Sequence, residues 1–189
     1  MSIFVRMPDI VSILGEGACL LLFILPAYVA NASPVLLGGQ WPVDFGLRLP
    51  DGRPIFGKSK TWLGIAAGLS CGMLAAVLLA HALPGTPLDL WGGQPSDYLL
   101  AGLLLSAGAL AGDLAGSFVK RRLGFSAGQP SFILDQLAFL AVALLFAWPL
   151  RPDFVFAPAA LLFLLLITYV LHRLANAFAH TAGLKRVPW

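Results

Sequence analysis

The chain has 189 residues, 59% of them hydrophobic and only 11% charged, with a mean hydropathy of +0.86. A soluble domain carries about 25% charged residues, so this composition excludes an ordinary soluble protein and specifies an integral membrane one. The net charge of +3 is small and the basic residues are clustered, which argues for membrane orientation and anionic ligands rather than nucleic acid.

Windows of roughly 17–25 apolar residues predict five spanning helices, an all-α polytopic bundle forming one domain over 1–189. The first covers about Ile10–Ala30 and carries Glu16 and Pro26, so one side of it is expected to face protein, with Glu16 as a structural polar contact. Ala30-Asn31-Ala32 imitates a signal-peptide cleavage site. The apolar run is long, however, Glu16 interrupts it and a basic loop follows, so a retained span is expected. The remaining spans are predicted at about Trp62–Leu83, Tyr98–Phe118, Phe132–Leu150 and Phe156–Ala175. No internal repeat is visible. Cys19 and Cys71 lie inside apolar runs and read as small packing residues rather than a disulfide or zinc pair.

Charge in the loops predicts topology. Loop 31–61 holds Arg48, Arg53, Lys58 and Lys60, loop 119–131 holds Lys120, Arg121 and Arg122, and the tail holds Arg173, Lys185 and Arg186. Loop 84–97 has Asp89 and Asp97 without a basic residue, and loop 151–155 has Arg151 alone. The positive-inside rule puts the basic loops in the cytoplasm and the N-terminus outside, with Arg6 dissenting. Gly64, Gly68 and Gly72 recur at four-residue spacing, as do Gly108, Gly112 and Gly116. Each set forms a smooth stripe, so both helices are expected to be packing surfaces in one bundle, against each other being one arrangement.

The chemistry concentrates in Gly112–Gln136, GDLAGSFVKRRLGFSAGQPSFILDQ. Asp113 is expected near the end of one hydrophobic helix, the basic triplet just beyond it, and Asp135 at the start of the next. On a helix Asp113, Ser117 and Lys120 fall within a narrow arc. Acids at a membrane boundary are costly unless paired or holding a cation, and two acids beside three cations suit a metal with phosphate oxygens. The alternative is a juxtamembrane basic cluster with helix-capping acids. In the first loop, Arg53, Lys58, Lys60 and Thr61 arrive just before the second helix, with Asn31 and Pro34 expected to break the first. A helix N-terminus with nearby cations is an anion site, although GKSKT lacks the spacing of a nucleotide-binding P-loop; a solvated, topology-setting loop explains the same residues. Tyr169, His172 and Asn176 share a face of the last helix, either as an interfacial belt or lining the polar cleft.

PAYVANASPVLLGG, PVDFG, DGRPIFGKSKTWLG, GDLAGSFVKRRLG, LDQLAF, the H-x-x-x-N pair and GLKRVPW together resemble the CDP-archaeol synthases, membrane cytidylyltransferases related to CDP-diacylglycerol synthases. The resemblance is collinear over nearly the whole chain, which is shorter than CDP-diacylglycerol synthases usually are. It implies a five-helix enzyme that joins CTP to a lipid phosphate and releases pyrophosphate. On this resemblance Asp113 and Asp135 would hold Mg²⁺, Lys120, Arg121 and Arg122 would neutralise pyrophosphate or the lipid phosphate, and Asp51, Arg53, Lys60 and Thr61 would form the facing wall. Asn31, Asp44 and Ser117 would help to shape the nucleotide pocket. The acceptor is expected to be an archaetidic-acid-like or phosphatidate-like lipid. A small anion transporter or a non-catalytic scaffold are the alternatives; the first fits poorly with charges gathered at one membrane face and no repeat, the second with acids bracketing a basic triplet.

Overall fold

Leu-, Ala- and Gly-rich runs fold here as helices because a backbone shielded from water must satisfy its own hydrogen bonds. The computed structural model describes residues 10–126, 129, 131, 134–135, 137–150 and 153–183, and among these not the side chains of 10–13 and 153–154. The helices are α1 (Ile10–Leu37), α2 (Trp62–Ala82), α3 (Pro95–Arg122), α4 (Ala138–Ala147) and α5 (Pro158–Thr181). Short 3₁₀ turns at Trp148–Leu150 and Asp153–Phe156 lie between the last two. Among the described residues there is no strand, only two isolated bridges inside the α1–α2 loop.

Four helices are long and apolar enough to cross a membrane, while the apolar stretch Ala138–Leu150 is shorter. Of the fourth span expected at Phe132–Leu150, α4 covers Ala138–Ala147 and residues 134 and 135 are helical as well; residues 132, 133 and 136 lie outside the described residues. Arg6, Arg151, Lys185 and Arg186 also lie outside them.

Other boundaries moved too: the last helix, expected at about Phe156–Ala175, is Pro158–Thr181, and α3 begins at Pro95 rather than Tyr98. Asn31 and Pro34 do not end α1, which runs on to Leu37. Pro34 has no N–H to give to Ala30, yet the Ala30 carbonyl meets another helix, since a Cβ added at Gly68 would lie 2.7 Å from it. Close backbone approach is how a membrane bundle tolerates an internal proline. α3 likewise continues past Phe118, so Lys120, Arg121 and Arg122 form its last turn instead of a loop beyond it. Cations there complement the negative end of the helix dipole.

The core lies between α1, α3, α4 and the start of α5, where Phe23, Ile24, Leu105, Phe139, Leu140 and Leu164 are buried. Lipid is as apolar as leucine, so burial alone does not hold such helices together; close packing does. The glycine stripes supply it, with separate partners. The α2 stripe meets Pro34 and the Ala30 carbonyl of α1 and Leu110 of α3. The α3 stripe faces α4 and the residues just before it: a Cβ at Gly108 would lie 2.7 Å from Ala143 Cα, one at Gly112 2.6 Å from the Ala138 carbonyl, and one at Gly116 2.9 Å from the Leu134 carbonyl. α2 and α3 do pack on each other, but the two stripes do not meet. α5 joins the bundle through polar contacts to α1, Tyr28 to Thr168 at 2.6 Å and Asn31 to His172 at 3.3 Å, with the His172 ring stacked on Phe139.

At the end of the bundle where α3 begins, loop 83–94 folds around Asp89. The Tyr98 hydroxyl donates to Asp89 Oδ1 at 2.8 Å and accepts from the Leu90 N–H, and the Trp91 N–H also donates to Asp89. Trp91 packs edge-on against Tyr98. The Gly93 N–H first, then the Tyr98 hydroxyl and further backbone donors, hold the Asp89 carboxyl below its ordinary range despite some desolvation.

Candidate functional site

The site is built where α3 ends, from three carboxylates that each hold a basic side chain. Lys60, just before α2, places its ammonium 2.7 and 2.6 Å from the two oxygens of Asp113 on α3. Lys120 donates to Asp135 Oδ1 at 2.6 Å, while the Ser131 N–H holds the other Asp135 oxygen at 2.9 Å. Arg122 grips Asp51 through one nitrogen, 2.8 and 2.7 Å from the two oxygens.

The loop 38–61 reaches this end because its polar residues fold it back on itself. Buried Asp44 accepts the N–H groups of Gly46, Phe56 and Gly57 at 2.9–3.0 Å. Burial pushes its carboxyl up, but these backbone donors, Gly57 foremost, outweigh that and leave it below the ordinary range. Thr61 caps α2, its hydroxyl accepting the N–H of Gly64 at 3.1 Å and of Gly39 at 3.2 Å, which ties the end of α1 to the start of α2.

Arg53 and Arg122 make a reciprocal clasp between this loop and α3. The Arg53 guanidinium donates to the carbonyls of Arg121 and Arg122, two of the four that a helix C-terminus leaves without partners. Arg122 donates back to the carbonyls of Arg53 and Pro54 and lies over the Phe118 ring. The Arg53 N–H and then Arg122 hold the Asp51 carboxyl below its ordinary range. Arg121 is buried, donates to the Phe125 carbonyl at 2.7 Å, and keeps its Nε without a partner among the described residues, near the Gly57 turn.

Lys60, Thr61 and Asp113 line a pocket together with Pro34, Ser59, Gly64, Ile65, Leu110 and Leu114. Asp135 is not among its lining residues. α4 runs antiparallel to α3, and Leu134, ahead of α4 and next to Asp135 in the chain, lies beside Gly116, about one helical turn along α3 from Asp113. Ser117 is buried between Asp113 and Lys120 on their shared helix. Asn31 bonds to His172, a turn deeper than Pro34, and Tyr169, His172 and Asn176 all have partners. The sequence singled out neither Ser59 nor the apolar wall of Ile65, Leu110 and Leu114. Only their helical spacing around Lys60 and Asp113 could have found them.

The Asp113 and Lys60 side chains are 32% and 23% exposed, and Asp135 is 40% exposed. Each carboxylate thus stays within reach of solvent while its lysine is largely covered, Lys120 being only 11% exposed. As hard oxygen donors the two carboxylates fit Mg²⁺, which takes one or two protein carboxylates and fills its shell with phosphates and water. Among the described residues no group of three or more His, Cys, Asp or Glu could hold a metal by itself, so these two carboxylates would need substrate oxygens and water to complete its shell. A metal would share Asp113 with Lys60 and Asp135 with Lys120, since both acids have lone pairs left.

The chain is similar to known proteins over most of its length. A family model described as CarS-like CDP-archaeol synthase matches residues 12–189. The CDP-archaeol synthase of Pyrococcus abyssi is 47% identical over 88% of this chain and 95% of its own length. Those of Thermococcus gammatolerans and Aeropyrum pernix are 48% and 43% identical, over 88% and 89% of this chain and 93% and 90% of their own. A solved structure described as an intramembrane enzyme for archaeal membrane lipids biosynthesis superimposes with a TM-score of 0.68 at 40% identity, covering 82% of this chain and 91% of that one.

Proposed function

The chain belongs to the CarS-like CDP-archaeol synthase family, CTP-dependent cytidylyltransferases that act on a lipid phosphate, and we propose that it transfers CMP from CTP to an archaetidic-acid-like phosphate. Residues 1–189 act as one such domain. A phosphatidate-like lipid is the competing acceptor, since the apolar helices carry no feature that reads ether against ester chains. An oxygen of the lipid phosphate attacks the α-phosphorus of CTP, a new P–O bond forms, and the bond to the β,γ-phosphates breaks, releasing pyrophosphate. This transfer needs positioning and charge stabilisation rather than a covalent nucleophile.

The observation that carries the reading is the Lys60–Asp113 pair in its pocket, with the Lys120–Asp135 pair further along α3 towards its C-terminus. The two lysines are point cations that turn from carboxylate to phosphate oxygens as the substrates enter, offsetting charge on the nucleotide and the leaving group. Mg²⁺ held by Asp113 and Asp135 would neutralise the nucleotide phosphates and hold them in line for attack. Arg121, buried beside the Gly57 turn with its Nε unengaged among the described residues, would add a further cation for the same charge. Arg122 already spends its charge on Asp51, and Arg53 its own on the last carbonyls of α3, so their part is to hold loop 38–61 over the end of α3. Asp44 and Thr61 fix that loop and the start of α2, and with Asn31 and Ser117 they shape the nucleotide pocket. The clustered basic residues at this end support a site facing the cytoplasm, with the N-terminus outside.

The test is turnover by the purified, reconstituted protein. With CTP and Mg²⁺, an ether-linked isoprenoid glycerol phosphate is expected to yield a CDP-lipid by mass spectrometry together with pyrophosphate. Product from phosphatidate alone would overturn the acceptor; none from either lipid would overturn the reaction.

A further inference from the structure

A loop that faces water normally buries its apolar residues and exposes its acids. Loop 38–61 inverts this around Asp44 and Phe45. Asp44 is buried, while Trp41, Phe45 and Leu47 are 73%, 69% and 60% exposed. The inversion is built into the backbone. Pro42 bridges to Thr61, the Trp62 N–H donates to the Trp41 carbonyl, and the Val43 N–H donates to the Lys60 carbonyl, which sets Trp41 beside the start of α2. Phe45 is the only non-glycine residue with positive φ among the described residues, at 49°, a conformation that bulky side chains avoid. The N–H groups donated to Asp44 hold that turn, so the acid points inward and the ring outward, 6.5 Å from the Trp62 ring.

We propose that this face of the loop, Trp41, Phe45 and Leu47 together with Trp62, docks into the headgroup region of the lipid leaflet on the site's side of the membrane. Two features select lipid over a protein partner. The patch is continuous with surfaces that lipid must already cover, through Leu36 and Leu37 at the end of α1 and Leu63 at the start of α2, all exposed. The loop also exposes Arg48 and Lys58, which suit anionic headgroups. Aromatic rings with neighbouring cations are what a membrane–water interface retains. On the cytidylyltransferase reading, a loop seated in the leaflet keeps Lys60 and its pocket at the depth where a lipid phosphate lies. The docking itself does not depend on that reading.

The experiment measures depth without turnover. The full chain, with Cys19→Ala and Cys71→Ala, carries a spin label at Phe45→Cys or at Pro50→Cys, an exposed residue at the loop tip. It is reconstituted at low protein-to-lipid ratio in vesicles of mixed zwitterionic and anionic phospholipid. Power saturation with oxygen and with a water-soluble nickel chelate is expected to give an oxygen-to-nickel accessibility ratio several-fold higher at 45 than at 50. Nickel access at 45 equal to that at 50 places the ring in water and overturns the proposal. Shielding at 45 from both reagents places it against protein and also overturns it. Should Phe45→Cys fail to fold, the label at Trp41→Cys carries the same expectations.

Discussion

The two ends of α3 use aspartate in opposite ways. Near its N-terminus Asp89 accepts a phenol and backbone N–H groups, all neutral, inside an aromatic cluster. At the other end Asp51, Asp113 and Asp135 each hold a lysine or arginine side chain. A loop can be fastened with neutral donors alone, as the first end demonstrates. The second end therefore carries charge beyond what fastening requires, and carries it in pairs whose carboxylates stay partly open to solvent. Charge of both signs kept within reach of solvent is what a polyanionic substrate with a divalent cation needs.

Removing charge should separate the ends most clearly. Lys60→Met is expected to lower kcat by about 10²–10³-fold, the scale seen when one electrostatic contact to a transition state is lost, with the thermal midpoint near wild type. Steady-state pyrophosphate release and a melting curve check it, and a wild-type rate would erase the contrast. Arg122→Lys keeps the charge but loses the multi-point grip on Asp51, Arg53 and Pro54. KM for CTP should rise by about tenfold, the equivalent of one charge-assisted hydrogen bond, while kcat changes less. Tyr98→Phe sharpens the comparison from the other side. It should lower the thermal midpoint by about 2–4 °C through loss of the bond to Asp89 and leave turnover unchanged.

Acid gives the smallest effect. Asp44 and Asp89 both titrate below their ordinary value of 3.8 in the folded chain. The stability they contribute is fully present above that value and is lost as pH falls through the lower, folded values. Thermal midpoints followed downward from pH 5 should therefore fall below about pH 3.8, and Asp44→Asn should flatten part of that fall.

Much of the fold was legible because apolar runs in a membrane have only one outlet, the helix. The span Trp62–Ala82 ends within a residue of expectation, and both glycine stripes are packing surfaces. The ends of α1 and α3 were misread for one reason: polar or proline residues were taken as stops. Pro34 sits inside α1 because the carbonyl it frees lies against Gly68, and the basic triplet stays helical because cations suit a helix C-terminus. Which glycine stripe met which helix depended on three-dimensional partners. In the site, that Asp113, Ser117 and Lys120 sit on one helix was readable, as was their spacing along one face. That Lys60 belongs to Asp113, Lys120 to Asp135 and Arg122 to Asp51 was not, because each pair joins segments whose approach is set by packing rather than by sequence distance.

The central claim is that the carboxylate on α3 facing Lys60 serves the transfer and not the fold. Asp113→Asn keeps the size of the side chain and removes its charge. With saturating CTP, Mg²⁺ and an ether-linked lipid phosphate, initial pyrophosphate release should fall by about a hundredfold or more while the thermal midpoint stays within a few degrees of wild type. An Asp113→Asn protein that turns over at the wild-type rate would contradict the account.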